Sequence, residues 1–449
     1  MKNLSLFVLL FSPFLFSQNF VGTWNGVLAV QGMQMHLNFN ISKTENGFVT
    51  TMDSPDQGAK GIPVTKTTVN NNTLLLEIPA GKINYSGTLK NDVISGTFTQ
   101  NGQEFQMNLS KASESSQALK RPQEPTKPFP HLEEEVVFEN KNKDKLSGTL
   151  TLPSKMGSFP AVILISGSGP QNRDEELLGH KPFLVLSDFL TRHGIAVLRY
   201  DDRGIGQSKG NFSKATSVDF ADDVESAVSF LKTRSEINAS KIGLIGHSEG
   251  GLIAPMVASK NSKIKFLVLL AGPAMKGSAL LLLQKEKIER AMGISEGEIE
   301  KGQKTFFELY EKLNKKHEES TLKLFLKSKL DAKTADAEID GILRQLESPW
   351  MQFYLNYDPK TALEKTNCAV LALNGENDLQ VPFKGNLDII KNTLNIAKNK
   401  NVTTKSYPKL NHLFQTCETG SPAEYGLIEE TFSEKTMQDL SDWILKEIK

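Results

Sequence analysis

The chain has 449 residues, 39% hydrophobic and 23% charged, which is ordinary globular usage with length for two to three domains; global disorder and a coiled coil are excluded. Lys plus Arg and Asp plus Glu both number 52, so a formal charge of zero gives no electrostatic reason to expect nucleic acid or an anionic membrane as a partner. Two cysteines, Cys368 and Cys417, exclude a disulfide framework and a Cys-rich zinc site.

Residues 1–17 read as a signal peptide. Lys2 supplies the positive end, and residues 4–16 are almost wholly apolar. That run is shorter than the ~20 apolar residues a membrane span needs, and Ser17 is a small residue at a cleavage point before Gln18. No later stretch is long and apolar enough to be a transmembrane segment. The expectation is an exported protein, periplasmic or secreted.

Residues 18–110 read as all-β. Short alternating runs at 22–30, 33–41, 48–52, 62–69, 73–78, 83–89, 93–99 and 104–109 predict strands. Asn46-Gly47 and Asn101-Gly102 mark hairpins, because both residue types tolerate positive φ. So many short strands in one stretch predict a barrel or a sandwich. Residues 111–130 carry Pro122, Pro125, Pro128 and Pro130 and read as a Pro/Ser-rich linker, an extended and semi-rigid spacer.

From residue 131 to 449 the pattern becomes α/β. A hairpin is expected from strands at 135–138 and 146–152. Strands at 161–165, 196–200, 241–246 and 266–270 then alternate with helices at 183–193, 217–232 and 250–259. The strands are short continuous apolar runs, as in a parallel sheet covered on both faces. Helices at 280–290, 296–315, 320–328 and 335–346 interrupt the alternation and predict a helical cap at about 275–362. The α/β pattern resumes with strands at 369–373 and 402–407 and helices at 383–399 and 433–448. The strand after Cys368 puts ~20 Å between the ends of the sheet. A disulfide needs Cα atoms within ~7 Å, so Cys368 and Cys417 are expected to be free thiols.

Gly246-His247-Ser248-Glu249-Gly250 matches G-x-S-x-G, as does Gly206-Gln207-Ser208-Lys209-Gly210. Ser248 follows an apolar strand and precedes a helical run, the context of a strained elbow that exposes a serine oxygen. Ser208 lies between polar loops and reads as a decoy. A serine hydroxyl needs a base to take its proton, and the base needs an orienting acid. His412 follows the last strand; the only other histidine after Ser248 is His317, in the cap. Asp378 follows the strand at 369–373 and is favoured as the acid, with Glu376 as the alternative. Two backbone donors are needed for an oxyanion hole. Glu249, after the nucleophile, is one candidate. Ser168, in the glycine-bearing loop Ser166-Gly167-Ser168-Gly169, is the other.

These motifs, with Pro170-Gln171-Asn172-Arg173-Asp174, Asp201-Asp202-Arg203-Gly204, Ser348-Pro349-Trp350, Tyr357-Asp358-Pro359, Asn374-Gly375-Glu376-Asn377-Asp378 and Leu410-Asn411-His412-Leu413-Phe414, resemble bacterial α/β-hydrolases of the EstD esterase type, near the serine aminopeptidase-like hydrolases. The resemblance spans residues 133–449. It implies an α/β-hydrolase fold, hydrolysis of small carboxylic esters, no cofactor, and triad roles for Ser248, Asp378 and His412. The N-terminal β domain lies outside it.

Gly167, Trp350 and Phe353 are candidates for the substrate pocket, and packing between cap and core is the competing reading for the two aromatics. Asp201, Asp202 and Arg203 read as a loop held by ion pairs, with Arg173 and Asp174 as partners. No cluster has metal-ligand spacing, so no metal is expected. Two rival functions stay open. One is an aminopeptidase or amidase, which needs a fixed carboxylate facing the pocket, with Glu249 as candidate. The other is an envelope ligand-binding protein in which the β domain captures the ligand.

Overall fold

The computed structural model describes residues 20–30, 33–45, 47–54, 59–100, 102–111, 120–314, 319–330 and 336–449. The signal-peptide reading at 1–17, Asn46 and Asn101 of the hairpin turns, residues 112–119 of the linker, and His317 lie outside these residues. The chain divides into two compact units, Met1–Gln117 and Ala118–Lys449.

The first unit is an antiparallel sheet of β1 (Gly22–Val30), β2 (Met33–Thr44), β3 (Gly47–Ser54), β4 (Ala59–Pro63), β5 (Lys66–Asn70), β6 (Thr73–Ile78), β7 (Ile83–Lys90), β8 (Val93–Gln100) and β9 (Gln103–Lys111). Its spatial order is β4-β3-β2-β1-β9-β8-β7-β6-β5. The two edge strands follow one another in the chain, separated only by Val64 and Thr65, so the sheet curls back on itself. Val64 N–H donates to the Thr50 carbonyl at 3.1 Å, and the Thr67 and Thr50 hydroxyls are 2.9 Å apart across the closure. The single strand expected at 62–69 is therefore two, broken just after Pro63, whose ring removes a ladder donor. Phe20, Trp24, Phe39, Tyr85 and Phe98 fill the inner face and are fully buried. Tyr85 Oη donates within this core, between the carbonyls of Ile94 and Met107.

The second unit holds β10 (Leu132–Glu139), β11 (Lys145–Leu152), β12 (Phe159–Ile165), β13 (Ala196–Tyr200), β14 (Ile237–His247), β15 (Phe266–Leu270), β16 (Ala369–Gly375) and β17 (Val402–Tyr407). The order is β10-β11-β13-β12-β14-β15-β16-β17, parallel from β13 onward. Along β12, Ala161, Ile163 and Ile165 belong to one core, while Val162 and Leu164 belong to the core on the other face. Helices α2 (Ser217–Leu231), α3 (Glu249–Ala258) and α10 (Phe383–Ile396) cover the first face; α1 (Pro182–Arg192) and α12 (Glu434–Glu447) cover the second. This is why the strands read as unbroken apolar runs. The chain leaves β12 for β13 on one side and then β14 on the other, which opens a crevice at the carboxyl ends of these strands.

The cap comprises α4 (Gly277–Ala291), α5 (Glu296–Asn314), α6 (Glu319–Lys329), α7 (Asp336–Leu346) and α8 (Pro349–Asn356). It has a core of its own, built from Leu309, Leu313, Leu322, Ile339, Leu343 and Leu355. The short α9 (Lys360–Leu363) buries Ala362 and Leu363 in the main core and leads back to the sheet, and α11 (Pro422–Tyr425) lies in the loop after β17. Among the described residues no helix is long and apolar enough to cross a membrane. Both cysteines are free, and burial pushes the Cys368 thiol up to about 12.

The linker does not continue as a spacer through residue 130. Arg121 donates to the carbonyls of Leu178, Gly179, Gly426 and Ile428 at 2.9–3.3 Å. The Gln123 side chain accepts from the N–H groups of Thr431 and Phe432 and donates to the Phe432 carbonyl at 2.7 Å. Proline removes donors from this stretch, and two polar side chains anchor it to the rest of the second unit instead.

Candidate active site

Ser248 sits between β14 and α3 with φ 51° and ψ −118°, a backbone region that non-glycine residues rarely occupy. The flanking glycines make the bend possible by close approach. A Cβ on Gly246 would lie 2.0 Å from the Gly250 carbonyl oxygen, and one on Gly250 would lie 2.1 Å from that of Ile165. The Ser248 N–H donates to the Leu270 carbonyl at 2.9 Å, which ties the bend to the next strand. Ser208, by contrast, is buried, donates to the Asp201 carbonyl at 2.7 Å and accepts from Ser147 N–H at 2.9 Å. It is a structural serine.

Asp378 and His412 come from the loops after β16 and β17 and are joined by a 2.9 Å bond between His412 Nδ1 and Asp378 Oδ2. Both are buried, at 2% and 4% exposure. The other oxygen of Asp378 accepts from the N–H groups of Gln380 and Val381, both at 2.8 Å. A carboxylate satisfied in this way receives the Nδ1–H of His412 and leaves Nε2 without a proton, the tautomer a general base requires. Glu376 faces elsewhere and accepts from the Ser406 hydroxyl at 2.8 Å. His412 packs against His247, the residue before Ser248, with ring centroids 4.8 Å apart.

The loop after β12 reaches the same bend. A Cβ on Gly167 would lie 3.2 Å from the Ser248 Cβ. The Gly167 N–H is committed to Glu175 Oε1 at 2.6 Å, and Ser168 beyond it is exposed. Glu249 opens α3, so its N–H belongs to the first turn and has no helical carbonyl to bond. Its side chain is 3% exposed, and Oε1 accepts from the Ser217 hydroxyl at 2.6 Å and from Trp350 Nε1 at 2.7 Å. Burial pushes this carboxyl above its usual range, opposed by those two bonds. Trp350 lies between the cap core and the main core and stacks on Tyr354. Phe353 packs against the main core and stacks on Tyr357 at 5.1 Å, so its ring is occupied with packing.

The acidic loop after β13 is an ion-pair framework. Arg173 grips Asp201 with Nε and Nη2 at 3.1 and 2.9 Å, and Arg203 grips Asp223 at 2.7 and 2.8 Å. Asp174 pairs with Arg199, not with this loop. Asp202 accepts from the Ser166 hydroxyl at 3.1 Å and from Gln171 N–H at 3.0 Å, and burial holds its carboxyl well above the usual range. Its two bonds span the loop that carries Gly167 and Ser168.

Two residues of this region were not legible as site residues, Glu175 and His247. Glu175 stands in a run of polar residues with no spacing signal, and His247 occupies the variable position of G-x-S-x-G.

Residues 183–339 match the family model Hydrolase_4, serine aminopeptidase, S33. That span contains Ser248 and ends before Asp378 and His412. Over 304 residues the chain is 26% identical to esterase EstD of Thermotoga maritima, covering 67% of this chain and 66% of that protein. It is 32% identical over 126 residues to the uncharacterized protein YfhR of Escherichia coli strain K12, covering 28% of this chain and 41% of that one. The matches thus span less than two thirds of the length of these curated relatives. Among solved structures, the Pyrococcus furiosus esterase Pf2001 is similar with a TM-score of 0.46 and 15% identity, over 75% of this chain and 100% of that chain.

Proposed function

We propose that this chain, an α/β-hydrolase of the serine aminopeptidase (S33) type, hydrolyses small carboxylic esters through an acyl-enzyme on Ser248. His412 Nε2 takes the proton of the Ser248 hydroxyl as its oxygen attacks the ester carbonyl. The N–H groups of Glu249 and Ser168 hold the oxyanion. His412 then gives its proton to the departing alcohol. Water, deprotonated by the same nitrogen, attacks the acyl-enzyme, and that proton then passes from His412 to the departing Ser248 oxygen as the acid is released. None of these steps calls for a metal or a cofactor.

The observation that carries this reading is the Asp378 carboxylate, held by two backbone N–H groups and bonded to His412 Nδ1 at 2.9 Å. It supports an imidazole that donates from Nδ1 and keeps its lone pair on Nε2. The name of the Thermotoga relative supports the ester class. The aminopeptidase reading is weakened by Glu249, whose Oε1 is bound by Ser217 and Trp350. The ligand-binding reading is weakened by the aromatic side chains that fill the inner face of the β unit. Export by residues 1–17 to the periplasm or the medium is part of the same proposal.

The test is a panel of p-nitrophenyl acyl esters beside aminoacyl anilides, with the wild type and Ser248→Ala. Turnover of short acyl esters that Ser248→Ala abolishes is expected. Anilide turnover without ester turnover would replace this reading with the peptidase one.

A further inference from the structure

The His247 ring lies between the Glu175 carboxylate, which in its ionised form only accepts hydrogen bonds, and a backbone carbonyl, which always does. Its Nδ1 is 2.9 Å from Glu175 Oε1, and its Nε2 is 3.0 Å from the carbonyl oxygen of His412. An imidazole with acceptors on both nitrogens satisfies them only by carrying both protons. The ring and the Glu175 side chain are both shielded from solvent, at 7% and 5% side-chain exposure. The ionisable groups facing the ring are Glu175, Asp378 and His412. Burial pulls the His247 pKa down, and the charge of Glu175 with the two hydrogen bonds outweighs it, leaving the group above its usual value.

The same carboxylate oxygen also receives the Gly167 N–H at 2.6 Å. One Glu175 oxygen therefore joins the loop that abuts Ser248 to the ring that holds the His412 backbone. Glu175 itself has φ 51°, a left-handed conformation costly for a residue with a Cβ. The turn that presents it is tied by Glu175 N–H to the Asn172 carbonyl at 2.9 Å, and by Asn172 Oδ1 to the N–H groups of Asp174 and Glu176.

We propose that Glu175 and His247 are a positioning pair: Glu175 holds His247 doubly protonated, and the ion pair fixes the Gly167 loop on one side of Ser248 and the His412 backbone on the other. Neither residue touches the reacting atoms. The pair sets the distance between the oxyanion donors and the base, and its buried cation adds to the field at the developing oxyanion. The inference rests on Ser248 being the nucleophile.

The test is a double-mutant cycle with Glu175→Gln, His247→Asn and the double variant, assayed on a short acyl ester beside the wild type and Ser248→Ala. Each single variant is expected to lower kcat at least ~10-fold with KM within ~2-fold, and the double variant to be no worse than the poorer single one. Losses that multiply, or single variants with wild-type kcat, overturn the pairing. Nitrogen NMR of histidine-labelled wild type covers the case of variants that do not fold. Both His247 nitrogens are expected to carry protons at pH 7.5, where a free imidazole is neutral, and a neutral His247 overturns the proposal. Turnover lost in Ser248→Ala shows that the nucleophile reading stands, so a failed cycle then counts against the pair alone. Absence of such turnover removes the nucleophile reading and the positioning role with it.

Discussion

Trp350 donates its indole N–H to Glu249 Oε1 at 2.7 Å, so a cap side chain is tied to the residue directly after Ser248. The bond crosses from α8 to the first turn of α3, and Ser217 of α2 meets the same oxygen. The cap is thereby referenced to the elbow through one buried carboxyl.

Trp350→Phe keeps a ring to stack on Tyr354 and deletes the donor. It is expected to destabilise the second unit by about 1 kcal/mol, the net cost of one hydrogen bond to a buried oxygen that keeps only the Ser217 hydroxyl. Losing a bond to the charged form also pushes the Glu249 carboxyl further up. Urea unfolding measures the first effect, and an unchanged midpoint would show that the bond contributes nothing.

Asp378 and Glu376 separate cleanly. Asp378→Asn keeps the shape of the side chain, but the amide can donate to Nδ1 and so favours the wrong His412 tautomer. A fall in kcat of about 10²–10⁴, with KM little changed, is expected. Glu376→Gln should stay within about 2-fold, because Glu376 bonds only Ser406 among the contacts seen at its side chain. Equal losses in the two variants would contradict the assignment.

The linker anchor predicts where the chain can be cut. A protein beginning at residue 118 keeps Arg121 and Gln123 and should retain ester turnover within about 3-fold. One beginning at Leu132 loses both anchors of the loops at 178–179 and 426–432, and should melt at a lower temperature. Arg121→Ala alone is expected to cost about 2 kcal/mol, since its guanidinium serves four carbonyls. Equal melting temperatures for the two truncations would contradict this role.

His180 supplies a pH dependence. It is fully buried, with Nε2 donating to the Tyr425 carbonyl and Nδ1 accepting from the Thr431 hydroxyl, both at 2.9 Å. Burial, aided by the positive charge of Arg121, pushes its pKa down to about 4. An unfolded histidine titrates near 6.5, so between these values the unfolded chain holds the extra proton. The stabilisation is complete above pH 6.5 and lost as pH falls toward 4, at roughly 1 kcal/mol per pH unit. Urea midpoints at pH 7 and 5 measure the slope. His180→Gln should flatten it, and an unchanged slope would place the titration elsewhere.

Much of the second unit was legible because its signals are local or ordered. The strands betray two covered faces by unbroken apolar runs, and Ser248, Asp378 and His412 each follow one of them. The sequence favoured Asp378 over Glu376 without excluding the latter, because two residues in one loop differ only in which way their side chains point. Glu175, His247 and Arg121 were invisible for a related reason. Glu175 and His247 meet across 72 residues of chain, and Arg121 bonds distant backbone carbonyls that any residue type can supply. The split at Val64 and Thr65 was missed because strand-forming residues (Val64, Thr65, Thr67, Thr68, Val69) continue through it, although Pro63 and the closure of the curled sheet break the ladder there.

The most direct test is to trap the nucleophile. A fluorophosphonate reagent is incubated with the protein, and the modified peptide is identified by mass spectrometry. One adduct on Ser248 is predicted, forming in step with loss of ester turnover and forming far more slowly in His412→Ala. An adduct on Ser208 or another serine, or full turnover after Ser248 is blocked, would contradict the account.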